Sequence, residues 1–334
     1  MGTGPVAARW RPPAWTRRSS APGRMATRLW TALTEPERPA VAVEVRPGGV
    51  GVVRTRRERR NRVLAAAAAV EMPADVVRPS LTQPNLADPE RFRTALRGAL
   101  ERAGVLDGAP IALVLPDPVA RVALVPAAEV PATRSPQVEE LLRFRLRKSL
   151  PFDVRDARIA HLRSPRPQDP ILVVAALGSV LDAYEDACRS LGLEPGLVEP
   201  SALALCRSAF TLEDRGDRLL VNWDEGYTTL VLVRDGWPVL ARTLVAPMVS
   251  SPAEVAREAA QTVLYARERL ESPGLEQAVV RAAALAPEDA VAVLAEPLGL
   301  APEVVEPWTA LGTADPGPAA QALAGAAACL GARS

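Results

Sequence analysis

The chain has 334 residues, enough for two ordinary domains. Its 40 basic and 39 acidic residues leave a net charge of +1, which excludes the basic excess of a dedicated nucleic-acid binder. Hydrophobic residues make up 48% but aromatics only 4%, so the cores must be built from Ala, Val and Leu, and no apolar run reaches the roughly 18–20 residues that a membrane span needs.

Cys188, Cys206 and Cys329 lie far apart without metal-ligand spacing and read as small buried thiols. His161 is the single histidine, so no histidine metal cluster can form, and it reads as a strand-edge residue. Residues 1–38 are basic and Pro-rich and lack the apolar core of a signal peptide; they read as a disordered or non-native extension, with Met25 an alternative start.

Taken in order, residues 39–53 read as a strand, a Pro-Gly-Gly turn and a second strand. The arginine-rich residues 54–62 read as a solvated loop, with phosphate or anionic lipid as the sharper alternative, and 63–70 as a third strand. Asp88-Pro89-Glu90 opens a helix over 91–103, and strands over 111–115 and 119–125 flank the turn Pro116-Asp117-Pro118. Residues 135–150 form an amphipathic helix with Arg143, Arg145, Arg147 and Lys148 opposite its apolar stripe. That basic face reads as solvated, with anionic lipid or an acidic partner as the alternative. A strand over 158–162 and the near-continuous apolar run 171–177 follow, the latter as expected of a strand covered on both faces. A helix over 180–191, a strand over 196–199 and a helix over 201–210 complete the first half.

Residues 218–244 form the clearest unit: three apolar runs separated by Asp224-Glu225-Gly226 and Asp235-Gly236, a three-stranded meander with tight turns that need φ > 0. Ser251-Pro252-Ala253-Glu254 is a capping box opening a long helix to about residue 270. A strand (277–283), a helix (287–298), a short strand (303–306) and an Ala-rich helix (318–330) close the chain. Both halves therefore read β-β-β-α-β-α-β-α, the first with an inserted piece at about 79–170. The domains read as a first lobe over 39–216 and a second over 217–334.

Two duplicated α/β lobes around a central cleft is the plan of the actin/Hsp70/sugar-kinase superfamily, an actin-like, ribonuclease H-like fold. Within it, Val41–Val53 (VAVEVRPGGVGVV), Leu150-Pro151-Phe152-Asp153, Leu172–Ala176 followed by Tyr184, Leu191-Gly192-Leu193-Glu194-Pro195, Leu220–Leu230, and Arg234-Asp235-Gly236 through Arg242-Thr243, in this order, resemble the type IV pilus assembly protein PilM family. The resemblance runs from about residue 39 to the C-terminus.

The resemblance implies ATP and Mg²⁺ in the cleft, approached by the first hairpin turn of each lobe. The matching positions are Glu44, Gly48, Gly49, Asn222, Asp224, Gly226, Thr228 and Thr229; the glycines also read simply as turn formers. The acids expected in the two first strands stand as Glu44 and Asn222, the glycines two residues on as Arg46 and Asp224, and an adenosine-facing Gly-Gly as Ala282-Ala283. Asn222 cannot serve as a carboxylate base, and Asp224 near phosphate oxygens costs roughly 4 kcal/mol at 4 Å. The expectation is a pseudo-ATPase with no catalytic or metal-binding residues. The resemblance implies a scaffold peripheral to the inner membrane that binds the cytoplasmic tail of a PilN-like bitopic protein and communicates with pilus motor ATPases. The alternatives are an ATP-binding actin-like ATPase or kinase and an actin-like filament former.

Overall fold

The computed structural model describes residues 38–331, apart from 60, 132–135, 314–316 and 318. Residues 1–37 of the N-terminal extension, Met25 among them, lie outside these residues, as does Ser135, the expected start of the amphipathic helix.

The first lobe carries a five-stranded sheet, β3-β2-β1-β4-β8, built from β1 (Val41–Arg46), β2 (Gly49–Glu58), β3 (Asn61–Glu71), β4 (Pro110–Leu115) and β8 (Glu194–Pro200). The second carries β11-β10-β9-β12-β13 in the same spatial plan, from β9 (Asp217–Asp224), β10 (Tyr227–Arg234), β11 (Trp237–Val245), β12 (Leu275–Ala282) and β13 (Glu303–Val304). In each, an antiparallel three-strand meander joins parallel strands through its first strand.

Alternation along the strands sorts the lobes into layers. Val41, Val43 and Val45 pack with α1 (Pro89–Ala103) and α3 (Gly178–Arg189) in one core. On lobe two, Leu219, Val221 and Trp223 pack with α5 (Pro252–Arg269) and α6 (Pro287–Leu298) in another. The opposite faces, carrying Ala42, Ala112 and Val114 of one sheet and Leu220, Val231 and Val279 of the other, share a third core with α4 (Ser201–Ala209) and α7 (Ala324–Gly331). These two short helices are the layer between the lobes, and small residues such as Ala204, Ala327 and Ala328 let them pack closely.

A three-stranded antiparallel sheet, β5-β7-β6, is the insert: β5 (Ala120–Val125), β6 (Ala157–Leu162) and β7 (Ile171–Leu177), backed by α2 (Pro136–Leu146). By sheet membership it runs from about 117 to 177, not 79–170. The helix α1 and strand β4 belong to lobe one, because the apolar face of α1 (Phe92, Leu96, Ala99, Leu100) packs on its sheet. The run in β7 is buried on both faces as expected, but as the centre of an antiparallel sheet.

Two further local expectations change. The range 54–62 is not one loop: β2 continues to Glu58 and β3 starts at Asn61, with Arg54 donating to the Ala103 carbonyl (2.7 Å) and Arg62 to that of Pro39 (2.6 Å). The turn Pro116-Asp117-Pro118 is a short 3₁₀ segment (Asp117–Val119) that carries the chain from the lobe sheet into the insert sheet. On α2, Arg143 is tied to the Val154 and Ala157 carbonyls (2.7 and 3.0 Å) and to Glu139, and Arg145 to Glu129, so part of the basic face is satisfied internally.

The meander turns differ from each other. Asp235 (φ 50°) and Gly236 (φ 76°) both sit in the left-handed region, as a type I′ turn demands, whereas at Glu225-Gly226 only Gly226 does (φ 72°). The capping box is complete: the Ser251 hydroxyl accepts from the Glu254 N–H at 3.3 Å, and the Glu254 carboxylate from the Ser251 N–H at 3.0 Å. Among the described residues, no helix is long and apolar enough to cross a membrane.

Candidate functional site: the cleft between the lobes

The first strand of each lobe points alternate residues into the cleft. On β1 these are Ala42, Glu44 and Arg46; on β9 they are Leu220, Asn222 and Asp224. Both strands end in a two-residue turn, Pro47-Gly48 after Arg46 and Glu225-Gly226 after Asp224, so Glu44 matches Asn222 and Arg46 matches Asp224. Beside Asn222 in the parallel ladder stands Arg281 of β12. Its side chain shares the cleft face, and it is fully buried.

A guanidinium can be buried only if its donors meet acceptors and its charge meets carboxylates. Arg281 Nη2 donates to Glu44 Oε1 at 2.9 Å, and Nη1 to Asp224 Oδ2 at 2.6 Å and to Asn222 Oδ1 at 3.1 Å. Its Nε donates to the Gln321 carbonyl at 2.7 Å. Arg46 clasps Asp224 with two nitrogens, Nη2 to Oδ1 at 2.8 Å and Nε to Oδ2 at 2.9 Å, and Nη2 also reaches the Ala283 carbonyl at 3.0 Å. That bidentate fork is the strong form of the Arg–carboxylate contact.

The helix ends complete the set. The N–H of Ala326, in the first turn of α7, donates to Glu44 Oε2 at 2.8 Å, and that of Ala202, at the start of α4, to Asp117 Oδ1 at 2.8 Å. Unpaired N–H groups and the dipole at a helix N-terminus favour a carboxylate there. Asn222 Nδ2 donates to Asp117 Oδ2 at 2.8 Å, so its amide links Arg281 to Asp117, oxygen toward the cation and nitrogen toward the acid.

Titration follows the count of cations at each acid. Burial raises the pKa of Asp224, but the guanidinium groups of Arg281 and Arg46 outweigh it, so the net shift is downward. At Glu44 burial wins over Arg281 and the Ala326 N–H, and the shift is upward; at Asp117 burial likewise wins over its hydrogen bonds. Arg281 itself is held more firmly protonated by Asp224 and Glu44, against the opposing effect of burial.

Of the residues matched to a nucleotide site, the structure brings Glu44, Asn222 and Asp224 into this one cluster. Gly48 lies across the cleft from the other hairpin turn: a Cβ there would sit 2.6 Å from Glu225 Oε2, so the two turns touch. Gly49 makes room for the neighbouring strand, its Cβ direction meeting the Val70 carbonyl at 2.9 Å, and Gly226 supplies the positive φ of its turn. Thr229 faces the cluster from β10, opposite Asn222 and 3.1 Å from the Thr243 hydroxyl. Thr228 does not: it shares its face with Trp223 and Leu244 in the lobe-two core, and its buried hydroxyl has no hydrogen-bond partner among the described residues.

Sequence reasoning missed Asp117, Arg281, Gln321 and the approach of α7. One signal was present: Arg281 is the single charge in the apolar run Ala278–Ala286.

A nucleoside triphosphate and its metal do not fit these residues as they are arranged. The acids that could hold a metal already spend their oxygens on Arg281, Arg46 and backbone N–H groups, and the two hairpin turns are in contact. The Cβ direction of Gly325 in α7 meets Glu44 Oε1 at 2.5 Å, so the helix end is packed directly on the acid. Among the described residues no group of three or more His, Cys, Asp and Glu is arranged to hold a metal ion.

No family model and no curated protein matches the sequence. Solved structures do match. A chain of a PilM–PilN type IV pilus biogenesis complex superposes with a TM-score of 0.71 at 17% identity, covering 90% of this chain and 100% of that one. A Bacteroides thetaiotaomicron protein described as having an actin-like ATPase fold gives 0.49 at 8% identity, covering 80% and 90%. The cytoplasmic domain of EpsL, an inner-membrane component of the Vibrio cholerae type II secretion system, gives 0.47 at 14% identity, covering 74% and 83%. With its two lobes of one strand order around a shared helical layer, the chain has the actin-like fold in the form found in the PilM–PilN complex.

Proposed function

We propose that this chain is a PilM-like adaptor of a type IV pilus assembly platform. It binds the cytoplasmic tail of a PilN-like bitopic membrane protein, sits at the inner membrane through that partner, and works as a pseudo-ATPase that does not hydrolyse ATP. Pilus motor ATPases are its further partners in this reading. The observation that carries the proposal is the pairing of Arg281 with Glu44 and Asp224 between the lobes: side chains fill the cleft where the fold's ATP chemistry would lie. The likeness in fold to a chain of the PilM–PilN complex supports the choice of partner.

Two measurements on the full chain test it. Calorimetry with millimolar Mg-ATP and Mg-ADP, alongside a phosphate-release assay, is expected to show neither binding heat nor turnover; turnover above a buffer blank would overturn the adaptor reading. Titration with a peptide of the cytoplasmic tail of a PilN-like bitopic protein from the same genome is expected to give saturable one-to-one binding, insensitive to added nucleotide. A peptide that fails to bind, together with a coexpressed partner that fails to co-purify, would remove PilN-like proteins from the proposal.

A further inference from the structure

We propose that the ion cluster is an internal latch: Arg281 supplies from within the chain a cationic bridge between the lobes, so the lobes stay closed without a bound ligand. Two-lobed proteins commonly close by hinge motion around what they bind, because the ligand touches both sides. In this chain the groups that touch both sides are its own. Each lobe contributes one acid and one base, paired crosswise: Glu44 of lobe one with Arg281 of lobe two at 2.9 Å, and Arg46 of lobe one with Asp224 of lobe two at 2.8 Å. The Asp117–Asn222 hydrogen bond is a third crossing, and the Gly48–Glu225 contact between the turns a fourth.

The geometry makes opening costly. The side chains of Glu44, Asp224 and Arg281 are fully excluded from solvent, and only Arg46, at 11%, reaches the rim. Partial separation would leave buried charges without partners before water could reach them, so the element is two-state: closed, or open and hydrated. Closure does not run through the adaptor reading above; it is a property of the free chain and is tested there. For a protein that works by presenting surfaces, a constitutive latch keeps any surface spanning both lobes permanently assembled.

The test is chemical rescue. In the full chain, Arg281→Ala leaves a guanidinium-shaped space facing Glu44, Asp224 and Asn222. The thermal midpoint is expected to fall by about 10 °C, the scale of a broken buried ion pair in a chain of this size. Amide exchange is expected to accelerate in both turns, around residues 44–52 and 222–229. Millimolar guanidinium chloride, far below denaturing concentrations, is expected to raise the variant's midpoint and slow that exchange, with no such effect on the wild type and none from sodium chloride. A folded variant with unchanged exchange at both turns would overturn the latch, as would one rescued by Mg-ATP and not by guanidinium. Should Arg281→Ala fail to fold, Arg46→Ala at the rim carries the test. It is expected to accelerate exchange at the same two turns with a midpoint shift of a few degrees, and unchanged exchange there would equally overturn the proposal.

Discussion

The two lobes share one strand order yet differ at every matched position that faces the cleft. Lobe one presents Glu44 and Arg46 on its first strand and the apolar Val114 on the parallel neighbour; lobe two presents Asn222 and Asp224, with Arg281 on the neighbour. Matched positions on paired lobes face one another, so identical residues would have set like charge against like charge. The observed set is complementary: Arg46 meets Asp224, its own counterpart, and Arg281 meets the acid that its neighbour Asn222 replaces in lobe two. A duplicated scaffold thus carries an asymmetric, self-satisfying interface. Each charged group that faces the cleft from one lobe is matched by a partner from the other.

The largest expected effect comes from breaking that complementarity at its centre. Arg281→Met leaves Glu44 and Asp224 with Arg46 alone, one negative charge in excess inside the protein, and should cost about 3–5 kcal/mol in a denaturant titration. Adding Glu44→Gln restores the balance, one cation with one anion, while the carbonyl of the new side-chain amide can still accept from the Ala326 N–H. The double variant should recover about 1–2 kcal/mol of that loss, a positive coupling of the size expected for residues in direct contact. Additive losses would mean that packing of the Arg281 side chain, not its charge, holds the site.

A smaller effect compares the acids through pH. Asp224 and Glu199 (the latter paired with buried Arg207 at 2.7 Å) have pKa values net-lowered by their guanidinium partners against the upward push of burial. Their stabilisation is complete above their unfolded values, about 3.9 and 4.3, and is lost as pH falls through the lower folded values. Glu44 and Asp117, raised by burial, act with the opposite sign: their contribution is complete below the unfolded values and lost as pH rises through the folded ones. The thermal midpoint should therefore peak in mildly acidic solution, decline toward neutrality, and fall steeply below about pH 4. Glu44→Gln should flatten the neutral-side decline and keep the acid-side fall. A wild-type midpoint that stays level between mildly acid and neutral pH would contradict the assignment of Glu44.

How much of this was legible in the sequence depended on the range of the interaction. The lobe-two meander, the Asp235-Gly236 turn and the Ser251–Glu254 capping box are legible in the sequence because each is decided within a few residues. The sequence of 54–62 reads as a loop because its charge density masks strand ends, at 54–58 and 61–62, that run beyond the core, where both faces of the ladder can be polar. The start of the insert is not legible in the sequence because nothing local tells a lobe helix from an insert helix; sheet membership decides, and that is a long-range fact. At the cleft, Glu44, Arg46, Asn222 and Asp224 stand out in the sequence against the pattern that the resemblance implies, but their partners do not. Glu44 finds its partner 237 residues away in Arg281, and Asn222 finds Asp117 105 residues away.

The smallest effect separates the two hairpin turns. Gly226 has φ 72° with open space around its Cβ direction, whereas Gly48 has no left-handed φ but faces Glu225 Oε2 at 2.6 Å. Gly226→Ala should cost about 1 kcal/mol through backbone strain alone. Because nothing crowds the added methyl, Glu225→Ala in the same chain should not relieve that cost. Gly48→Ala should cost only a few tenths of a kcal/mol, since the obstructing atom ends a flexible side chain, and Glu225→Ala should abolish the penalty. The pair of cycles reports on the closed cleft from its rim. A penalty at Gly48 that depends on Glu225 requires the two turns to be in contact in solution, and one that ignores Glu225 would place the lobes apart even with Arg281 in place.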